Sequence, residues 1–156
     1  MSDEKIVHVV GTGTIGEPLI GLLCDAKEDL CIDEITFYKH SPVLTDRPKV
    51  KELIKRGANL AVREGKVTEF QELGIDPVYN AEEAIKRASV VIDCTPKGTG
   101  LQNKEKYYKK YKNKVKGFLA QGSEFGFGKM YALGINDEFI TPKDPVSYTH
   151  LTLPTN

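Results

Sequence analysis

Three glycines near the amino terminus have the spacing of a phosphate-binding turn. Gly11, Gly13 and Gly16 form the pattern G-x-G-x-x-G directly after an apolar run at residues 6–10. The first glycine of this pattern permits a tight turn, the second lets the backbone approach a pyrophosphate, and the third lets a helix pack against the strand. The N–H groups and the dipole at the start of that helix attract phosphate oxygens. The pattern therefore predicts a dinucleotide-binding turn; the alternative is a packing turn in an unrelated α/β domain.

Polar residues after the second apolar run bear on the choice of cofactor. Residues 35–38 are followed by Lys39, His40 and Ser41. An acidic residue at this place would hold the ribose 2′-OH of NAD, whereas a basic residue suits the 2′-phosphate of NADP. Because no carboxylate follows the run directly, the sequence favours NADP over NAD, with Lys39 as the contact residue. The alternative is that Lys39 is a solvated loop residue.

Two further segments follow predicted strands and are expected at the same crevice. Thr95 and Pro96 come after the apolar run 90–94, and Gly122 comes after the run 117–120. Ligands of open α/β sheets lie beyond the carboxyl ends of the strands. We therefore expect Thr95 and Pro96 to line the cofactor crevice, and Gly122 to face its nicotinamide side.

The histidines and cysteines do not have the spacing of a metal site. His8 and His40 are far apart in sequence, and Cys24, Cys31 and Cys94 include no C-x-x-C pair. Sparse, odd-numbered cysteines argue against a disulfide framework and for a reducing compartment, so a cytoplasmic location is expected. We interpret Cys94 as a small buried side chain and not as a nucleophile. The sequence thus predicts neither a metal ligand nor a catalytic residue.

Alternating strands and helices must position these residues. Apolar runs predict strands, and helical spacing or capping residues predict the helices between them. The predicted strands are residues 6–10, 35–38, 59–62, 77–79, 90–94 and 117–120, and the predicted helices are 15–26, 48–57, 67–73, 81–88 and 103–112. This alternation predicts an α/β fold with a doubly wound parallel sheet, the Rossmann-like dinucleotide-binding domain.

The composition limits the kinds of partner that the chain is expected to bind. The chain of 156 residues has the length of one domain, and 22 basic residues balance 22 acidic ones, which disfavours a nucleic-acid binder. No apolar run is long enough to cross a bilayer. The lysine-rich segment 104–116 contains three tyrosines; we favour a solvated helix with its tyrosines against the sheet over an RNA-stacking surface. A small-molecule substrate is therefore expected, without nucleic acid or membrane.

The last twelve residues differ in character from the rest. Residues 145–156 contain no Lys, Arg, Asp or Glu, although 28% of the chain is charged. Residues 146–155 resemble one translated reading frame of a transposase-end adapter used in making sequencing libraries. We interpret residues 1–144 as the NAD(P)-binding domain and 145–156 as a non-native tail. The alternative is a short native β-strand.

Four segments together resemble one family, the type II glyceraldehyde-3-phosphate dehydrogenases of archaea. The segment at residues 90–103, with its Thr-Pro-Lys-Gly-x-Gly-x-Gln-Asn pattern, is the most specific of the four. The resemblance extends from Lys5 to Asp144. Its segments are residues 11–16, 38–42, 90–103 and 118–124.

The resemblance implies an NAD(P)-dependent enzyme of glycolysis or gluconeogenesis that oxidises glyceraldehyde 3-phosphate with phosphate to 1,3-bisphosphoglycerate. It implies that Thr14 and Ile15 contact the cofactor at the start of the helix, that Gly122 contacts it near the nicotinamide, and that the parent enzyme is a homotetramer. One departure is Glu17-Pro18, where family members usually carry basic residues. The pyrophosphate contacts are therefore expected to differ in detail.

The nucleophile of this family is a cysteine in a Ser-Cys-Asn-Thr segment, which the sequence does not contain. By register it would begin shortly after Asp144, so the catalytic domain is expected to be missing and the fragment to be inactive. Other interpretations are a semialdehyde dehydrogenase, a homoserine dehydrogenase or a dihydrodipicolinate reductase. A non-enzymatic NAD(P)-sensing domain and an unstable half-domain without function also stay open.

Overall fold

The computed structural model describes residues 4–121, 124–141 and 145–148. The strands are β1 Ile6–Val10, β2 Glu34–Tyr38, β3 Ala58–Val62, β4 Tyr79–Asn80, β5 Val90–Asp93, β6 Gly117–Gln121, β7 Lys129–Tyr131 and β8 Val146–Tyr148. They form one sheet in the order β4-β3-β2-β1-β5-β6-β8-β7, and every neighbouring pair is parallel. The order changes direction between β1 and β5, which leaves a crevice at their carboxyl ends.

Helices cover both faces of the sheet. They are α1 Gly16–Asp25, α2 Arg47–Lys55, α3 Val67–Glu72, α4 Ala81–Arg87, α5 Thr99–Asn103 and α6 Lys109–Tyr111. The first three pack on one face, where Ile20, Leu53 and Phe70 meet buried strand residues. On the other face Ile85 of α4 and Tyr108 belong to a second buried cluster. This architecture confirms the predicted doubly wound, Rossmann-like α/β domain.

The central strands form where the sequence predicts them, because both of their faces are buried. Val9 packs with the first cluster and Val10 with the second, so β1 is apolar at consecutive positions. The ends differ by small amounts: β4 begins at Tyr79, whereas a strand over 77–79 was predicted. Asn80 is the N-cap of α4, since its Oδ1 accepts the Glu82 N–H at 2.9 Å.

The lysine-rich segment begins its helical path earlier than predicted. Helix α5 starts at Thr99, and a π-helical turn over Lys104–Tyr108 joins it to α6. Tyr108 is only 2% exposed and stacks on Phe118 with ring centroids 5.3 Å apart. The lysines of this segment are largely on the outside, which agrees with a solvated helix whose tyrosines pack inwards.

The sheet continues beyond β6 with β7, which was not predicted, and with β8, which lies in the segment whose alternative interpretation was a short native strand. β8 lies between β6 and β7 and pairs with both. The Lys129 N–H donates to the Pro145 carbonyl at 2.9 Å where β7 and β8 begin. Residues 146–148 thus form a short strand; that the segment 145–156 is non-native remains a prediction. In the described ranges no helix has the length and apolar character needed to span a membrane.

Candidate cofactor site

The turn between β1 and α1 has glycines that a side chain could not replace. Gly11 has φ +101°, in the left-handed region that favours glycine, and its N–H donates to the Tyr38 carbonyl at 3.1 Å. A Cβ at Gly16 would lie 2.0 Å from the Gly11 carbonyl oxygen. A Cβ at Gly13, by contrast, would meet nothing within 4 Å. The first and third glycines therefore shape the turn, and the second leaves its surface open.

A crevice of about 740 Å³ lies in front of this turn, at the carboxyl ends of the central strands. The structure brings most of the predicted binding residues together there. Gly16 does not line the crevice but packs against Gly11 within the turn, and Gly122 is outside the described residues. The predicted residues that line the crevice are Gly11, Gly13, Thr14, Ile15, Lys39, Thr95 and Pro96.

Lys39, at the end of β2, is not a solvated loop residue. It is only 8% exposed, and its Nζ lies 2.6 Å from Oδ2 of Asp46 and 3.4 Å from Oγ1 of Thr12. Asp46 ends the 3₁₀ turn Leu44–Asp46, which folds back over the end of β2. A carboxylate thus reaches the place where the sequence showed none, from a position seven residues further along the chain.

Arg63 is a second crevice residue that was not predicted from the sequence. It directly follows β3 and its Nη2 donates to the Tyr107 hydroxyl at 3.3 Å. Arg63 could have been predicted in the same way as Thr95, because residues that follow a strand face the crevice. Nearby, Tyr38 and His40 are hydrogen bonded between Oη and Nδ1 at 3.1 Å.

The unusual Glu17 has a partner on the next helix. Its Oε2 lies 3.3 Å from Nζ of Lys49 in α2, and both side chains are partly exposed. This ion pair partly offsets the negative charge that the sequence places at the start of α1.

A buried carboxylate fixes the end of β5. Asp93 is 1% exposed, and its Oδ1 accepts both the Thr95 N–H, at 2.9 Å, and the Thr95 hydroxyl. Its Oδ2 accepts from Asn103 at 3.0 Å and from the Tyr108 hydroxyl. Burial and the neighbouring Asp93 raise the pKa of Tyr108 well above its ordinary value, so this phenol stays a donor. Thr95 is therefore held rigidly at the crevice.

Glu124 ties the loop after β6 to the start of α5. It is 1% exposed; its Oε1 accepts the Gly98 N–H, and its Oε2 accepts the Leu101 N–H at 3.0 Å. A Cβ at Gly100 would lie 3.1 Å from Cγ of Glu124, so the two segments pack closely. The connection positions the β5 and β6 ends of the crevice relative to each other.

Two buried titratable groups at or beside the central strands are held in their neutral forms. Cys94 lines the crevice, but burial, with Asp93 beside it, raises the pKa of its thiol to about 12. His8 is fully buried and its Nδ1 is hydrogen bonded to Thr36 Oγ1 at 2.7 Å. Burial lowers the pKa of His8 to about 3. Neither residue offers a thiolate or an imidazolium at neutral pH, as expected for Cys94 from the sequence.

Within the described ranges no three His, Cys, Asp or Glu side chains are grouped to hold a metal ion. The parallel sheet, the glycine turn and the crevice at the carboxyl ends together define a Rossmann-like domain of the dinucleotide-binding class.

Comparison with known proteins gives a more specific relationship. The chain is homologous to archaeal proteins named glyceraldehyde-3-phosphate dehydrogenase. It is 34% identical over 118 residues to that of Pyrobaculum neutrophilum, which covers 76% of this chain and 31% of the relative. It is 33% identical over 120 residues to that of Methanobacterium bryantii, and this alignment covers 77% of this chain and 33% of the relative. It is 34% identical over 115 residues to that of Methanopyrus kandleri, and this alignment covers 70% of this chain and 31% of the relative.

The chain thus spans about a third of the length of the curated relatives it matches. No protein-family model matches the sequence.

Proposed function

We propose that this chain is the NAD(P)-binding part of a phosphorylating glyceraldehyde-3-phosphate dehydrogenase of the type II class. The observation that carries the proposal is the crevice in front of the glycine turn, in a chain whose relatives bear that name. The parent enzyme would be a cytoplasmic homotetramer acting on a small-molecule substrate. When bound, the nicotinamide supplies the hydride acceptor or donor of the reaction.

The turn at Gly11–Gly16 would hold the pyrophosphate. Because a Cβ at Gly13 would meet no protein atom within 4 Å, its absence leaves room on the crevice side for phosphate oxygens. The first N–H groups of α1 lack partners within the helix and can donate to these oxygens, with Thr14 and Ile15 beside them. Thr95 and Pro96 would line the middle of the dinucleotide, and Gly122 would lie near the nicotinamide.

Lys39 would contact the adenosine 2′-phosphate, which favours NADP over NAD. Its buried stem and its position at the end of β2 place a fixed ammonium at the part of the crevice next to the turn. The hydroxyl of Ser41, which also lines the crevice, offers a neutral donor to the same phosphate.

The chain alone would not turn over the aldehyde. Cys94 is the cysteine that lines the described crevice, and a thiol with a pKa of about 12 is almost entirely protonated at neutral pH. Cys24 is half-buried, and burial raises its pKa too. A nucleophile for thiohemiacetal formation would have to come from the parent enzyme's catalytic domain.

Calorimetric titration of the chain with NADP and with NAD tests the proposal. Gly13→Val should weaken the binding of both cofactors more than tenfold, because its side chain would enter the pyrophosphate position. Gly65→Val is the matched control, since a Cβ there also meets nothing within 4 Å but lies outside the crevice. Absence of cofactor binding by the unchanged chain, or equal affinities of the two variants, would refute the proposal.

A dehydrogenase assay with glyceraldehyde 3-phosphate, phosphate and either cofactor should show no turnover above the blank. Turnover by the chain alone would contradict the assignment of the chemistry to another domain.

A further inference from the structure

Asp46 is the one acidic residue among the described residues that line the crevice. Its Oδ2 lies 2.6 Å from Nζ of Lys39. The cations that line the same crevice are Lys39, Arg63 and Lys106. A single carboxylate in a cationic crevice, paired with the lysine at the end of β2, is placed to influence which adenosine ribose binds there.

We propose that Asp46 is the specificity-determining residue that limits the preference of this crevice for NADP. The inference rests on the proposed function. With NADP bound, the 2′-phosphate and the Asp46 carboxylate would compete for the Lys39 ammonium and repel each other. With NAD bound, the carboxylate would accept hydrogen bonds from the ribose hydroxyls and keep its ion pair with Lys39.

The two members of the pair differ in their freedom to move. The Lys39 side chain is 9% exposed, and Thr12 Oγ1 at 3.4 Å gives its ammonium a second neighbour. The Asp46 side chain is 38% exposed and stands on a 3₁₀ turn at the surface. The lysine is therefore fixed by burial, whereas the carboxylate can move into solvent without disturbing the core. Removing the Asp46 charge would leave Lys39 in place with its donors available to a phosphate.

Asp46→Asn in the full chain tests this inference. The amide keeps the size of the side chain and removes its charge. Affinity should rise about tenfold for NADP and for adenosine 2′,5′-bisphosphate, because one like charge and one competitor for Lys39 are lost. Affinity for NAD and for 5′-AMP should stay the same or fall. Titration calorimetry at fixed salt, with the four ligands in parallel, measures these changes.

Asp25→Asn is the matched control. Asp25 forms an ion pair of the same length, 2.6 Å, with Arg56, and neither residue lines the crevice. This variant should leave all four affinities unchanged. Asp46→Ser serves as a second variant, and circular dichroism verifies the fold of each protein before titration.

The possible outcomes separate this inference from the proposed function. A selective gain for the two 2′-phosphorylated ligands in Asp46→Asn or Asp46→Ser supports the role of Asp46. Equal changes for phosphorylated and unphosphorylated ligands, or weaker NADP binding, overturn it while leaving the crevice as a dinucleotide site. No binding of any of the four ligands to the unchanged chain overturns both.

Discussion

At the β2 end of the crevice three of the lining side chains are charged, whereas the residues at the ends of β5 and β6 are uncharged in the described part. Lys39 and Asp46 are ion paired, and Arg63 follows on the next strand. The crevice residues at the ends of β5 and β6 are Cys94, Thr95, Pro96 and Gln121, and the third cation, Lys106, lines the crevice from the helical segment beyond α5. The contrast separates two tasks: charge at the β2 end is suited to selecting a ligand, and the neutral end is suited to holding one without reacting with it.

The two ends are also fixed in different ways. At the β5 end, Asp93 is buried and its carboxylate accepts several hydrogen bonds, two of them from Thr95. At the β2 end the carboxylate of Asp46 is partly exposed. Side chains that are both buried and fully hydrogen bonded resist movement, whereas a surface ion pair is readily exchanged for another partner. Adaptation to different ligands is therefore expected at the β2 end.

A reactive thiol at the β5 end would contradict the contrast between the two ends of the crevice most clearly. Because burial raises the pKa of Cys94 to about 12, its thiolate fraction at neutral pH should be about a thousandfold below that of an ordinary cysteine. Iodoacetamide should therefore modify the exposed Cys31 well before Cys94, as followed by peptide mass spectrometry over time.

Labelling in denaturant provides the control, since unfolding should make the cysteines equally reactive. If Cys94 in the native protein reacted as fast as Cys31, the neutral end would have a nucleophile and the division of tasks would be wrong.

Replacing Lys39 has a smaller expected effect, and it tests whether the β2 end binds the 2′-phosphate of NADP. Lys39→Ala should weaken NADP binding about tenfold or more, because a partly desolvated, charge-assisted contact contributes about 1.5–3 kcal/mol. NAD binding should be nearly unchanged. Parallel titrations at fixed salt measure both affinities.

Lys109→Ala is a suitable control for the loss of a lysine, since Lys109 pairs with Glu105 on the exposed side of its helix and neither residue lines the described crevice. Equal losses for NADP and NAD in Lys39→Ala would show that Lys39 supports the loop or a part common to both cofactors.

Much of the fold could be predicted because it depends on local and strongly constrained features. β1, β2, β3, β5 and β6 are short runs rich in buried apolar residues, and Gly11 and Gly16 occupy positions that exclude a side chain. β7 and β8 have three residues each and lack such a signal. The early start of α5 was missed because its first residues, Thr99 and Gly100, are poor helix formers.

The candidate site was predictable where a residue directly follows a strand. Thr95 and Lys39 both satisfy this rule and line the crevice. Asp46 does not directly follow a strand. It reaches Lys39 because the segment after β2 folds back through a 3₁₀ turn, and no periodic pattern in the sequence predicts that turn. The burial of Lys39 was missed for the same reason, since its partners are separated from it along the chain.

The proposed function requires that the crevice in front of the glycine turn binds a nicotinamide dinucleotide, with the adenosine half at the β2 end. Titrating the ¹⁵N-labelled chain with NADP and recording amide chemical shifts tests it directly. The largest changes are expected at Gly11, Gly13, Lys39, Asp46 and Thr95, with small changes in the segment 109–116, which does not line the crevice. Shifts confined to that segment, or no shifts at millimolar NADP, would contradict the account.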